Sequence, residues 1–148
     1  MTRPVIFSSY TSADKDICLA IFDANCPKYF ASNERTDYEK FLDLNPAGYE
    51  LCLSEGDVIG AYGLIGEGSK NRSLNWILLS PRAQGLGLGS ILIERAISLA
   101  KEAKLTCLNI AASHLSATFF AKFGAVRICE LKDGWGPGMH RIDMELRL

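Results

Sequence analysis

The chain has 148 residues, 48% of them hydrophobic and 22% charged, a balance ordinary for a globular protein with room for its own core. Its 16 basic and 17 acidic residues leave a formal charge of −1, which gives no footprint for nucleic acid or an anionic membrane surface. No apolar run approaches the roughly 20 residues of a membrane span, and Met1-Thr2-Arg3-Pro4 carries no signal-type apolar segment, so one cytoplasmic domain over residues 1–148 is expected.

Val5-Ile6-Phe7 reads as a short first strand. Thr11 or Ser12 caps a first helix with an acidic opening turn, and Ile17, Ala20 and Ile21 recur along it at helical spacing. That helix ends near Asn25, because Pro27 cannot continue it. Tyr29 and Phe30 fall in a loop, and Asp37 to Leu44 reads as a second helix packing Tyr38, Phe41 and Leu42. Three strands follow as an antiparallel meander: Tyr49 to Ser54, Val58 to Gly66 and Leu74 to Leu79. Gly60 and Gly63 mark a bulge or a close backbone approach in the middle one. The third is almost continuously apolar, which suits a central strand covered on both faces.

Gly87 to about Ala103 gives the clearest helix, with Leu88, Ile91, Leu92, Ala96 and Leu99 on one stripe. Leu105 to Ala112 is a strand, and Ser116 to Phe123 a short helix stopped by Gly124. Val126 to Leu131 and Ile142 to Leu148 are closing strands, separated by a turn-rich loop over 132–138. The expected fold is therefore a mixed α+β sheet in the order β-α-α-β-β-β-α-β-α-β-β. The five cysteines, Cys18, Cys26, Cys52, Cys107 and Cys129, form no metal-binding spacing, and four of them lie in apolar runs that suggest buried thiols.

The chemistry concentrates in Leu78-Leu79-Ser80-Pro81-Arg82-Ala83-Gln84-Gly85-Leu86-Gly87-Leu88-Gly89-Ser90. Glycine at every second position lets the backbone bend tightly and approach a ligand. The helix behind it offers unpaired N–H groups and the positive end of a dipole, a cradle for phosphate or diphosphate. A P-loop requires a Gly-Lys pair, which the chain lacks. A dinucleotide fingerprint requires Gly-x-Gly-x-x-Gly, and Ser90 stands where its last glycine belongs.

Gln84-x-x-Gly87-x-Gly89 resembles the acyl-CoA-binding motif of the GCN5-related N-acetyltransferase (GNAT) superfamily. Phe119-Phe120-Ala121-Lys122-Phe123-Gly124 is similar to that family's later helix, and the element order matches along essentially the whole chain. The resemblance implies acetyl-CoA as co-substrate and acetyl transfer to an amine by direct attack in a ternary complex. It implies that the backbone of Ile77, Leu78 and Leu79 pairs with the pantetheine arm. The N–H groups of Gly85, Leu86, Gly87, Leu88, Gly89 and Ser90 would then hold the diphosphate. Gln84 takes the motif's first position, and Ser113 stands where many members have a cofactor-contacting asparagine. Phe120 occupies the cofactor-side position of the family's usual proton donor, a tyrosine, and has no proton to give.

The base stays open. His114 has a suitable unperturbed pKa of about 6.5. Asn75 lies near where some members carry a glutamate, and can orient an amine or a water. Ser116, one helical turn before Phe120, is a further candidate for proton transfer, and Glu50 on a neighbouring strand is another carboxylate to weigh. The resemblance places the acceptor, a small-molecule or peptide amine, between the first two helices and the late hairpin. Tyr29, Phe30, Tyr38 and Trp135 offer it an aromatic wall. Homodimers are common in the family, and nothing in the sequence marks a contact surface. Phe120 also feeds a second reading, a non-catalytic acyl-CoA sensor on the same fold.

Overall fold

The computed structural model describes residues 4–148; Met1-Thr2-Arg3, part of the segment read as lacking a signal-type stretch, lie outside the described residues. Seven strands form one mixed sheet in the order β1-β2-β3-β4-β5-β7-β6. They are β1 (Val5–Ser9), β2 (Tyr49–Ser54), β3 (Asp57–Ile65), β4 (Asn71–Leu79), β5 (Cys107–Ser113), β6 (Val126–Gly136) and β7 (Met139–Arg147). Helices α1 (Lys15–Asn25) and α2 (Glu34–Asp43) pack on one face around Phe22, Tyr38, Leu42, Tyr49 and Leu51. Helices α3 (Leu88–Glu102) and α4 (Ala117–Ala121) cover the other face, where Leu92, Ile93, Ala96, Leu108, Phe120 and Ile142 form the larger core. Among the described residues no helix is long and apolar enough to cross a membrane.

The expected order of elements is the observed one, and the differences lie at their ends. Helix α2 begins at Glu34 rather than Asp37, because the Glu34 carboxylate reaches back to the Ala31 N–H at 2.7 Å and stabilises an extra turn. Strand β4 begins at Asn71 rather than Leu74, since residues 71–74 find a parallel partner in Cys107–Ile110 of β5. The turn-rich stretch after Leu131 is no loop. β6 runs on to Gly136 against β7, its register shifting between Leu131 and Gly136, with Asp133 at φ +54° and its carboxylate accepting the Gly138 N–H at 2.8 Å. Turn residues there produce an irregular hairpin, because pairing with β7 satisfies backbone groups that a loop would leave to water. The thiols are also less uniform than expected. Cys18 and Cys52 are buried, Cys26 and Cys107 partly so, and Cys129 is exposed on the edge strand β6.

Two features of β4 prepare a site. Its pairing with β5 stops at Leu74↔Ile110, so the two parallel strands have no further partner in each other over 75–79 and 111–113. The β3–β4 register shifts where Ala61 pairs with Leu78 but Gly63 with Asn75, which leaves one extra residue on β4. Within that bulge Trp76 sits at φ +50°, a left-handed conformation rare for a large side chain and found most often where function holds it. Gly60 and Gly63 serve this packing: a Cβ on Gly60 would meet the Leu78 carbonyl at 2.8 Å, and one on Gly63 the Tyr49 ring at 2.6 Å.

Candidate functional site

The gap between β4 and β5 opens into a cleft of about 640 Å³ that crosses the sheet from the α3–α4 face to the α1–α2 face. Gly85, Gly87, Gly89, Ser90, Phe119 and Phe120 line its α3–α4 side, and Tyr29, Phe30, Glu34, Trp76, Trp135 and Arg141 its α1–α2 side. Asn75, Ile77, Leu79, Ser113 and Ser116 line it between these two sets.

On the first side, residues 81–83 make one 3₁₀ turn and α3 starts at Leu88 with Gly87 as its N-cap. Gly85 lies at φ +81° and Gly87 at φ +77°, and a Cβ on either would point into open space. Their role is conformational: a left-handed backbone that other residues adopt only under strain. Gly89 has a different reason, since its absent Cβ leaves room for the Phe119 ring at 3.3 Å. No side chain caps the first turn of α3, so its N–H groups and the dipole face outward at the cleft, an arrangement suited to an anion. Leu86 is exposed and Leu88 buried, so neither side chain lines the cleft.

The turn is held from behind by an amide network. Gln84 donates to the Leu79 carbonyl at 3.2 Å and to Asn25 Oδ1 at 2.9 Å, while Asn25 Nδ2 donates to the Leu79 carbonyl at 3.0 Å and to that of Ile21 at 2.8 Å. Asn25 is only 4% exposed, so every partner it keeps matters. The Ser80 N–H donates to Ile59 on β3 at 2.7 Å. Strand alternation therefore turns the backbone groups of Leu79 and Ile77 away from β3, toward the gap. Leu78 pairs with β3 and its side chain is buried in the α1–α2 core.

The second side is aromatic. Trp76 packs with Tyr38, ring centroids 4.8 Å apart, and with Phe30 at 6.4 Å. Its carbonyl accepts the Tyr49 hydroxyl at 2.7 Å, and that hydroxyl lies 2.8 Å from the one on Tyr38. Burial raises the pKa of both tyrosines far above the ordinary range, so they act as fixed neutral groups that hold the bulge. Tyr38 is thus wholly buried behind Trp76 and does not touch the cleft, whereas Tyr29, Phe30 and Trp135 line it. The Trp135 indole N–H donates to the Ala112 carbonyl at 2.9 Å, and its own carbonyl accepts Asn33 Nδ2 at 2.8 Å, which ties the β6–β7 hairpin to the start of α2.

The groups considered for proton transfer are dispersed. His114 lies in an adjoining hollow with Lys28 and Pro137, not in the cleft, and its Nδ1 accepts the His140 N–H at 3.1 Å. The Ser116 hydroxyl closes the turn before α4, accepting the Ser113 N–H at 3.0 Å, 3.2 Å from the Ser113 hydroxyl. Glu50 is bound to Arg95 of α3 at 3.1 and 3.2 Å and to the Tyr62 hydroxyl, away from the cleft. Sequence reasoning placed Glu34 beside the acceptor pocket only as part of the mixed-charge segment Asn33-Glu34-Arg35, and it missed Asn25, Trp76 and Arg141.

Comparison with known proteins agrees with this geometry. The sequence model of the acetyltransferase (GNAT) family matches residues 18–125. The ribosomal-protein-S18-alanine N-acetyltransferase of Escherichia coli superposes with a TM-score of 0.80 at 16% identity, over 97% of this chain and 94% of that one. Ard1 from Thermoplasma volcanium gives 0.78 at 14% identity, over 97% of each chain. An aminoglycoside 6'-N-acetyltransferase complexed with coenzyme A gives 0.73 at 12% identity, over 96% of each. Among curated proteins none matches by sequence.

Proposed function

The chain belongs to the GNAT acetyltransferase family, and within it we propose an N-acetyltransferase that moves the acetyl group of acetyl-CoA directly to a primary amine. The single observation that carries this reading is a cleft through the sheet with an anion cradle at one side and an aromatic enclosure at the other. The coenzyme A complex of the aminoglycoside N-acetyltransferase named above supports it.

In this reading the diphosphate lies on the N–H groups of residues 85–90, and the pantetheine arm runs along Ile77 to Leu79 as an added strand. The thioester reaches the Trp76 bulge, where a β4 N–H polarises its carbonyl and steadies the oxyanion. Placing amine and thioester in one enclosure removes most of the entropy of encounter, roughly 7 to 11 kcal/mol in favourable intramolecular cases. Asn75 orients the amine. Phe120 supplies no proton, so the thiolate departs unassisted and is protonated by solvent or through the Ser113–Ser116 hydroxyl pair; a thiol pKa of roughly 8.5 makes that departure feasible.

Calorimetry with acetyl-CoA, followed by thiol-release assays across an amine panel, tests this. Saturable binding and turnover of at least one amine are expected. Binding with no turnover on any amine would leave an acyl-CoA sensor, and absence of binding would remove both readings.

A further inference from the structure

The charges along the cleft define its acceptor. Among the residues lining it, Glu34 and Arg141 are the charged side chains, one anion and one cation, and both stand at the aromatic side. Glu34 is 5% exposed. Its Oε2 takes the Ala31 N–H at 2.7 Å, and among the described residues Oε1 has no hydrogen-bond partner. Among the described residues the fully enclosed side-chain polar atoms without a partner are Tyr10 Oη and Ser54 Oγ, so Oε1 is not sealed in the core. A buried carboxylate with one free oxygen at a cavity wall is a site for a cation or a proton donor. Burial pushes its pKa up to about 7, which suits a group that both holds an ammonium and takes its proton.

Arg141 lines the same cleft as Glu34. Its neighbour Ile142 packs into the α3–α4 core, so alternation along β7 turns Arg141 to the opposite, α1–α2 face. The guanidinium lies over the Trp135 ring, 5.1 Å from its centroid, with Nε bound to Asp143 at 2.7 Å. Stacking and ion pair fix the plane of the fork, and the two terminal nitrogens remain to receive a carboxylate end-on. Glu34 reaches the same tryptophan through its chain neighbour Asn33, bound to the Trp135 carbonyl.

We propose that the acceptor is an amine carrying its own carboxylate, of the amino-acid class, with its ammonium on Glu34 and its carboxylate on Arg141. This rests on the acetyltransferase reading above. Glu34 takes one proton from the ammonium, the freed nitrogen lone pair attacks the thioester carbon, and the C–S bond breaks with its electrons leaving on sulfur. The new amide nitrogen loses its second proton to the thiolate or solvent, and Glu34 returns its own to water. A peptide N-terminus or a lysine side chain offers no carboxylate near the amine, and is disfavoured.

The test compares matched acceptors: the common amino acids, the amides of those used best, and the corresponding decarboxylated amines, all with saturating acetyl-CoA. Wild-type protein is expected to use an amino acid with kcat/KM roughly tenfold to a hundredfold above its amide. Arg141→Gln should erase that preference by raising KM for the acid far more than for the amide, and Arg141→Lys should restore part of it. Equal use of acid and amide, or an Arg141→Gln loss shared equally by both, overturns the proposal, the latter by reducing Arg141 to a structural residue. If acetyl-CoA binds by calorimetry but no amino acid is acetylated, this inference falls and the family chemistry stands. If acetyl-CoA does not bind, the underlying reading falls with it.

Discussion

Glu34→Gln probes the cleft without any ligand. In the folded protein burial holds the Glu34 carboxyl up to about 7, with Asp37 adding to the rise and the Ala31 N–H opposing it. In the unfolded chain it ionises near its ordinary 4.5. Between these values the unfolded state has released a proton that the folded state still holds. Raising the pH therefore favours unfolding: the stabilisation is complete below 4.5 and lost as pH rises through 7. The gap between the two values corresponds to an upper limit of roughly 3 kcal/mol. Glutamine preserves the acceptor for the Ala31 N–H and nearly the same volume but does not titrate. The variant's Tm, measured on ligand-free protein, should gain on wild type as pH rises from 4 to 8, by roughly 6 to 12 °C over the whole range. A Tm difference constant over that range would refute the buried, ionisable Glu34 on which the acceptor assignment depends.

Tyr49→Phe removes the hydroxyl that serves both the Trp76 carbonyl and Tyr38, and leaves buried polar atoms without partners. It should destabilise by about 1 to 3 kcal/mol, read by denaturant titration, and weaken acetyl transfer as the bulge relaxes. Gly87→Glu places a side chain and a negative charge at the left-handed N-cap of α3. Calorimetry should show acetyl-CoA affinity falling by roughly two orders of magnitude or more, and unchanged affinity would contradict the diphosphate placement. Thiol labelling of native protein near pH 8 should modify exposed Cys129 first. Cys18 and Cys52, buried and with pKa pushed up to about 11, should react only on unfolding.

Local pattern carries far in this chain. The 3.6-residue period of Leu88 to Ala103 and the alternation of the strands place elements that the structure keeps, because each follows from which face a segment must bury. The tight bend at Gly85 and Gly87 was likewise legible from the glycine spacing, though its left-handed backbone is seen only in the fold. Ends of elements were not legible where a distant partner sets them, as β7 does for residues 132–136 and β5 for 71–74.

The sequence by itself determined the element order and the glycine cradle, because both depend on residues a few positions apart. The cleft was decided only in three dimensions. It exists because β4 and β5 part company after Leu74 and Ile110, and because a bulge turns Trp76 toward Tyr38. Glu34 and Arg141 both line it, from α2 and β7, and Arg141 carries no local mark of that placement. A carboxylate in the first turn of a helix reads as an ordinary cap until the fold removes the water around it.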